Sequence, residues 1–121
     1  MKFLHKQYQA KKKEFIEVEL DRPARVKFMT AMEFKQYKNA RTHTYFGGLY
    51  EESPVRFVVP HDAVWYVVVE KGSTTEPNDV LANTRLMLPN RGVISSLASD
   101  APQHVRALAQ AEAGEGAGDN A

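Results

Sequence analysis

The chain has 121 residues, 43% of them hydrophobic and 26% charged, with a net charge of +1; that is enough for one domain with one modest core, and the whole-molecule charge selects no partner. It contains no cysteine, which excludes a disulfide framework, a thiolate metal site and a cysteine nucleophile. The longest apolar run, Ala63-Val64-Trp65-Tyr66-Val67-Val68-Val69, is too short to span a bilayer as a helix, and Met1–Tyr8 has no apolar signal core, so the expected setting is cytoplasmic with no membrane contact.

Charge is distributed unevenly along the chain. Residues 1–45 carry eleven Lys/Arg against five Asp/Glu, and residues 46–121 carry five against ten. Such a dipolar chain can turn a basic face toward an anion, although lysines on edge strands also serve to block aggregation. Residues 3–8 predict a first short strand. Lys11-Lys12-Lys13-Glu14 predicts a solvated turn, because three lysines are fewer than a nucleic-acid patch needs; nucleic acid is not an expected partner.

Residues 15–29 alternate. Ile16, Val18 and Leu20 share one face against Glu17 and Glu19, and Ala24, Val26 and Phe28 share one face against Arg25 and Lys27. With Asp21-Arg22-Pro23 between them, the two runs predict a hairpin of half-buried antiparallel strands. Glu17 and Glu19 would then face Arg25 and Lys27 across it, each pair contributing about 0.2–1 kcal/mol. The period changes at Thr30-Ala31-Met32-Glu33, a capping-box pattern that predicts a short helix over about 30–39, ending near Asn39. Residues 40–49 read as a loop in which Gly47-Gly48 permits close backbone approach.

Residues 53–70 repeat the pattern. Val55, Phe57 and Val59 alternate with Arg56; Pro60-His61-Asp62 breaks the run; and 64–69 is apolar on both faces, which marks a central strand covered on both sides. Gly72–Asp79 is a loop by composition, Val80–Leu88 a last strand, and Pro89-Asn90-Arg91-Gly92 its end. The expected fold is therefore all-β: an antiparallel sandwich or jelly-roll-like domain of about five or six strands over 1–90, with one short helix. Residues 91–121 are expected to form a tail, with a short helix near 102–112 and disorder from about 113.

No Gly-rich phosphate loop and no nucleophile elbow occurs. His5, His43, His61 and His104 lack the close spacing of a zinc motif, so no metal and no cofactor are expected. Convergence of His5, His43 and His61 with Asp62 would be needed for a metal or an acid–base pair, and adjacent His61-Asp62 in a turn rarely orient one another. Trp65 reads as core, with a stacking platform as the alternative. The densest mixture of rings, cations and glycines is the 37–48 stretch. There Lys38, Arg41 and His43 supply donors for an anion, Tyr37, Tyr45 and Phe46 supply ring faces, and Gly47 and Gly48 open backbone N–H groups. The competing reading is that the tyrosines pin the loop to the sheet while the cations are solvated.

The motifs Met1-Lys2-Phe3-Leu4-His5-Lys6-Gln7-Tyr8, Tyr37-Lys38-Asn39, His43-Thr44-Tyr45-Phe46-Gly47-Gly48, Ser53-Pro54-Val55, Val59-Pro60 and Trp65 together resemble a bacterial family of uncharacterised proteins, DUF1883, over about residues 1–70. The sequence departs from that pattern at Ala40 and at Asp62-Ala63-Val64, where glycine is expected. The resemblance implies a small, mostly-β domain, in some proteins beside a TIR domain, and so a sensing or adaptor role. The expectation is a non-enzymatic module that binds a small nucleotide- or sugar-like anion through Tyr37, Lys38, Arg41, His43, Tyr45, Gly47 and Gly48. The alternatives are a protein-interaction or homo-oligomerisation domain and, less favoured, an enzyme using a His/Asp pair.

Overall fold

Period-two alternation assigns each strand one face to a core, and two sheets share that core. A computed structural model describes residues 2–72 and 75–100. Its strands are β1 (Phe3–Ala10), β2 (Phe15–Leu20), β3 (Ala24–Thr30), β4 (Phe46–Tyr50), β5 (Val55–Val58), β6 (Ala63–Glu70) and β7 (Ala82–Met87), with one helix, α1 (Ala31–Lys38), after β3. One sheet has the order β1-β6-β3-β4 and the other β5-β2-β7, and every pairing between these strands is antiparallel. The mostly antiparallel β architecture with one short helix is the expected one, with seven strands among the described residues rather than five or six. Among the described residues no helix is long and apolar enough to cross a membrane. The helix expected near 102–112 and the tail from 113 lie outside the described residues.

The four-stranded and three-stranded sheets close on Ile16, Val18, Val26, Phe28, Val55, Phe57, Trp65, Val67 and Val69, all buried. Phe28 stacks on Phe57 across the layers at 4.5 Å. Trp65 is core, 1% exposed, and its indole N–H donates to the His61 carbonyl at 3.1 Å, so the one polar atom of the ring is satisfied. The opposite face of the four-stranded sheet is covered by α1. There Phe34 packs with Met29 and Val68, flanked by Phe3, Tyr37 and Tyr66, and Phe34 stacks on Tyr66 at 4.1 Å. β6 is therefore central and covered on both sides, as its sequence predicts.

The expected hairpins do not form. β2 lies in one sheet and β3 in the other, and β5 and β6 are divided in the same way, so each Pro-containing turn arches between layers. Alternation fixes the face a strand buries but not the sheet it joins. The predicted cross-strand charge pairs move accordingly. Glu17 meets Arg56 at 3.2 Å and Arg85 at 3.0 Å, Glu19 meets Arg85 at 2.8 Å, Arg25 meets Asp100 at 2.7 Å, and Lys27 meets Glu70 at 3.3 Å. The loop expected over 40–49 is cut short: residues 46–50 are an edge strand in register with β3, Gly48 opposite Val26 and Gly47 opposite Lys27. After β7 the chain crosses the three-stranded sheet. Ala98 then sits 4% exposed against the core, with Ser96 and Ser99 bonded to the backbone of β5 and β4.

The lysine turn 11–13 is exposed, with Lys13 at φ 76°. The helix spans its expected residues with Thr30 at the N-cap, but no side-chain cap bond forms. Glu33 instead accepts from the Thr44 N–H at 2.8 Å, so the capping box gives way to a tether for the next loop. The helix ends at Asn39 in a Schellman arrangement, the Ala40 N–H donating to the Tyr37 carbonyl and the Arg41 N–H to the Gln36 carbonyl. Ala40 takes φ 55° there, in the left-handed region that costs a residue with a Cβ about 1–2 kcal/mol. Part of that would be returned by the unfolded-state entropy of glycine, so Ala40→Gly should raise stability by up to about 1 kcal/mol. The test is the urea midpoint at unchanged slope, and a lowered midpoint would contradict the assignment of strain to this residue.

Candidate functional site

The 37–48 stretch folds onto the outer face of the four-stranded sheet. α1 brings Tyr37 over that face because Phe34, one turn earlier, is buried against Met29 and Val68. The Schellman turn reverses the chain, the Glu33–Thr44 bond ties it down, and pairing of β4 with β3 fixes its far end. Tyr37, His43 and Tyr45 are thereby gathered into one cluster. The His43 ring meets Tyr37 edge-on at 5.0 Å and Tyr45 at 5.4 Å.

At the centre of the cluster stands a cation from β3. The Lys27 ammonium lies 4.4 Å from the Tyr45 ring centroid and 5.1 Å from that of Tyr37, and 3.3 Å from a carboxylate oxygen of Glu70 on β6. The two side chains are 13% and 8% exposed. The same Glu70 oxygen accepts from the Tyr37 hydroxyl at 2.8 Å. Two ring faces and one carboxylate thus replace the water that a buried ammonium loses. Burial, and then the bond to the Glu70 carboxylate, hold the Tyr37 hydroxyl protonated well above the ordinary tyrosine range. His43 Nδ1 lies 3.1 Å from the Arg41 carbonyl oxygen, so Nδ1 carries the proton of that bond, and Nε2 is buried with no hydrogen-bond partner among the described residues.

Three of the seven residues expected at a site therefore converge. The other four do not join them. Lys38 is exposed, its ammonium 5.1 Å over the Phe34 ring, and Arg41 is exposed beyond the turn. Gly47 at φ 111° lets β4 approach β3, since a Cβ there would strike the Val26 carbonyl oxygen, and Gly48 is covered by Ala98 and Asp100. The two glycines serve strand pairing and close packing here. Lys27 and Glu70, which complete the cluster, were not expected from sequence. The available signal was the two-sided cover predicted for 64–69, which requires a partner for an ionised group at its end such as Glu70; alternation placed Lys27 on a solvent face.

The other candidate acid–base residues contact different partners. His5 packs with Phe34 and Tyr66, at 5.0 and 6.2 Å. His61 sits 5.1 Å from Trp65, and Asp62 accepts from the Lys12 N–H at 2.7 Å. His104 lies outside the described residues. Among the described residues no group of three or more His, Cys, Asp or Glu is placed to hold a metal ion. Clefts open elsewhere among the described residues. One of about 270 Å³ lies between β1 and β7, lined by Leu4, Lys6, Val67, Val69 and Thr84 together with His5. Another of about 310 Å³ is lined by Pro23, Arg25, Leu49, Glu70, Gly72 and Asn78.

The model of one family, described as "Domain of unknown function (DUF1883)", matches residues 1–88. No curated protein matches the chain, and no solved structure matches it.

Removing one partner of a buried ion pair leaves the other uncompensated, which costs about 3–5 kcal/mol, whereas replacing both is near neutral. Lys27→Ala should therefore destabilise the protein by about that amount, and Lys27→Met with Glu70→Met should recover most of it. Urea denaturation of the two variants decides, and a double variant as unstable as the single one would contradict the pairing. Tyr37 sets an alkaline limit. Its folded-state value is raised, so its contribution is present below the ordinary tyrosine value of about 10 and is lost as pH rises above it. Tyr37→Phe should flatten the fall in stability above pH ~10, followed by denaturation midpoints across that range; an unchanged slope would remove Tyr37 from the account.

Proposed function

The chain belongs to the DUF1883 family, and we propose that it is a non-enzymatic binding module for a small anion with a ring, nucleotide- or sugar-phosphate-like, in a sensing or adaptor role. The observation that carries this reading is the division of charge at the clasp. The Glu70 carboxylate is committed to Lys27 and Tyr37 inside the cluster, while Lys38 and Arg41 stand exposed at its rim with no anionic partner among the described residues. At the clasp the carboxylate is held internally, and the cations that could attract an anion face solvent. Tyr45, 40% exposed, has part of its ring available for stacking, and the inner Lys27 fixes where that ring lies.

The layer distribution of charge favours the same side. On the three-stranded sheet Glu17 and Glu19 are paired with Arg56 and Arg85, so its outer surface is close to self-neutralised. The helix and its flanks carry Lys35, Lys38 and Arg41, all exposed. An anion approaching the molecule meets excess positive charge at the clasp, and that excess is screened over ~10 Å at 0.1 M salt.

The test is a thermal-shift and calorimetric screen of nucleoside mono-, di- and triphosphates and sugar phosphates at low salt. The expected result is a rise in Tm with at least one ligand, reduced in Arg41→Ala and Lys38→Ala and weakened by added salt. No shift with any ligand, or a shift indifferent to both substitutions, would overturn the assignment.

A further inference from the structure

The two flanks of the sandwich are finished differently. On one flank the edge strands β1 and β7 face each other across the 270 Å³ cleft. On the other flank the edges are β4 and β5, and residues 95–100 run across both. The Ser95 hydroxyl accepts from the Val58 N–H at 2.8 Å. Ser96 exchanges two bonds with Arg56, its N–H donating to the Arg56 carbonyl at 2.7 Å and its hydroxyl accepting from the Arg56 N–H at 2.9 Å. Ser99 donates from both its N–H and its hydroxyl to the Leu49 carbonyl, at 2.7 and 3.0 Å. Asp100 accepts from the Leu49 N–H at 3.0 Å through one oxygen and from Arg25 at 2.7 Å through the other. The edge groups of Leu49, Arg56 and Val58 are satisfied by a short segment outside the strands, which turns at 99–100, and by its serine and aspartate side chains.

Beside these hydrogen bonds the segment buries little apolar surface: Ala98 is its one buried residue, and Leu97 is half-buried. The Arg25–Asp100 pair is half-exposed, 49% and 40%, a setting in which ion pairs contribute little. Gly48 forms the floor, since a Cβ there would come within 3.0 Å of the Ala98 Cβ and 2.5 Å of an Asp100 oxygen. The matched family region ends at residue 88, before the segment begins. The walls of the groove belong to the family domain, and its occupant lies outside the matched part.

We propose that the groove between β4 and β5 is a peptide-recognition surface, filled in this chain by its own residues 95–100 acting as an intramolecular competitor. Its partner is an extended segment of another protein that carries a small residue followed two positions later by a carboxylate, with serines two and three positions before the small residue. The small residue enters over Gly48, the carboxylate bridges the Leu49 N–H and Arg25, and the serine hydroxyls cap the edge of β5. This is strand-edge recognition in which side chains supply part of the backbone bonding. The site is separate from the clasp, and its test reads a different ligand.

The experiment uses the full chain and a fluorescent peptide with the sequence of residues 93–100. In Ala98→Arg a guanidinium replaces the buried methyl and the intramolecular segment is expelled. That variant should bind the peptide, and the wild type should bind it at least about tenfold more weakly, because the tethered segment competes at roughly millimolar effective concentration. Arg25→Ala added to Ala98→Arg should weaken binding by about two- to fivefold. A folded Ala98→Arg protein that ignores the peptide, or binds a scrambled peptide equally well, would overturn the proposal. If Ala98→Arg does not fold, amide exchange in the wild type decides. The Leu49 and Val58 amides should exchange by local opening, ahead of Val67 and Val69, and exchange of all four at the global unfolding rate would make the segment a permanent wall and end the proposal. Exchange of the segment between two copies, seen as a concentration-dependent dimer, would overturn the choice of a different protein as partner.

Discussion

Burial of β6 on both faces is the constraint from which the rest of the structure follows. One face carries Trp65, Val67 and Val69, and the other carries Tyr66, Val68 and Glu70. A single sandwich can cover only the first set. The second requires another layer, and α1 is the piece of chain that provides it, eight residues long. A helix of that length is marginal alone and depends on packing. Phe34 stacked on Tyr66 and flanked by Phe3 supplies the packing. Covering β6 also buries Glu70, and a buried carboxylate must be matched. Lys27 on the neighbouring strand and the Tyr37 hydroxyl match it, so the position of the clasp is a consequence of where β6 ends.

What the sequence discloses and what it conceals divide along physical lines. Faces were legible. The double-sided apolar pattern of 64–69 marked the central strand, Trp65 lay in the core as its area demands, and the change of period at Thr30 located the helix. Partners were not legible. Asp21-Arg22-Pro23 and Pro60-His61-Asp62 are compatible with a tight hairpin or with an arch between layers, and only the long-range pairing of β2 with β5 and β7 selects the arch. The choice moves every charged pair on the outer surfaces. Glu17 was expected opposite Arg25 or Lys27, and instead lies directly between Arg56 and Arg85 in register.

Two local signals were outcompeted. The Thr30–Glu33 spacing fits a capping box, yet the Glu33 carboxylate satisfies the Thr44 N–H, which lies in a loop that must be held down. A charge-assisted bond is stronger than a neutral one, and here it offsets part of the entropy lost in ordering that loop. The Gly47-Gly48 pair reads as a loop because glycine lowers strand propensity. Here the glycines are what permit β4 to lie against β3 and under Ala98. The same property, absence of a Cβ, argues for a break when the chain is read locally and for close packing once its neighbours are in place. At the candidate site the rings of Tyr37, His43 and Tyr45 could be grouped from sequence proximity. The charges they enclose come from β3 and β6 and could not.

β4 joins the two surfaces with the most to offer. Its first residue follows Tyr45 of the clasp, and its fourth, Leu49, bonds residues 99 and 100. β3 does the same from the other side, since Lys27 enters the clasp and Arg25 reaches Asp100. These two strands alternate, with neighbouring residues on one edge serving different neighbours, and their register is fixed by five consecutive pairs from Ala24 opposite Tyr50 to Phe28 opposite Phe46. A one-residue slip would remove Lys27 from the rings and Arg25 from the carboxylate together. The clasp and the flank groove therefore share one positional requirement, set by Gly47 and Gly48. An added Cβ at either meets atoms already in place, the Val26 carbonyl oxygen for Gly47 and the Ala98 and Asp100 side chains for Gly48. That shared register, more than the composition of the 37–48 stretch, fixes where the clasp and the flank segment lie.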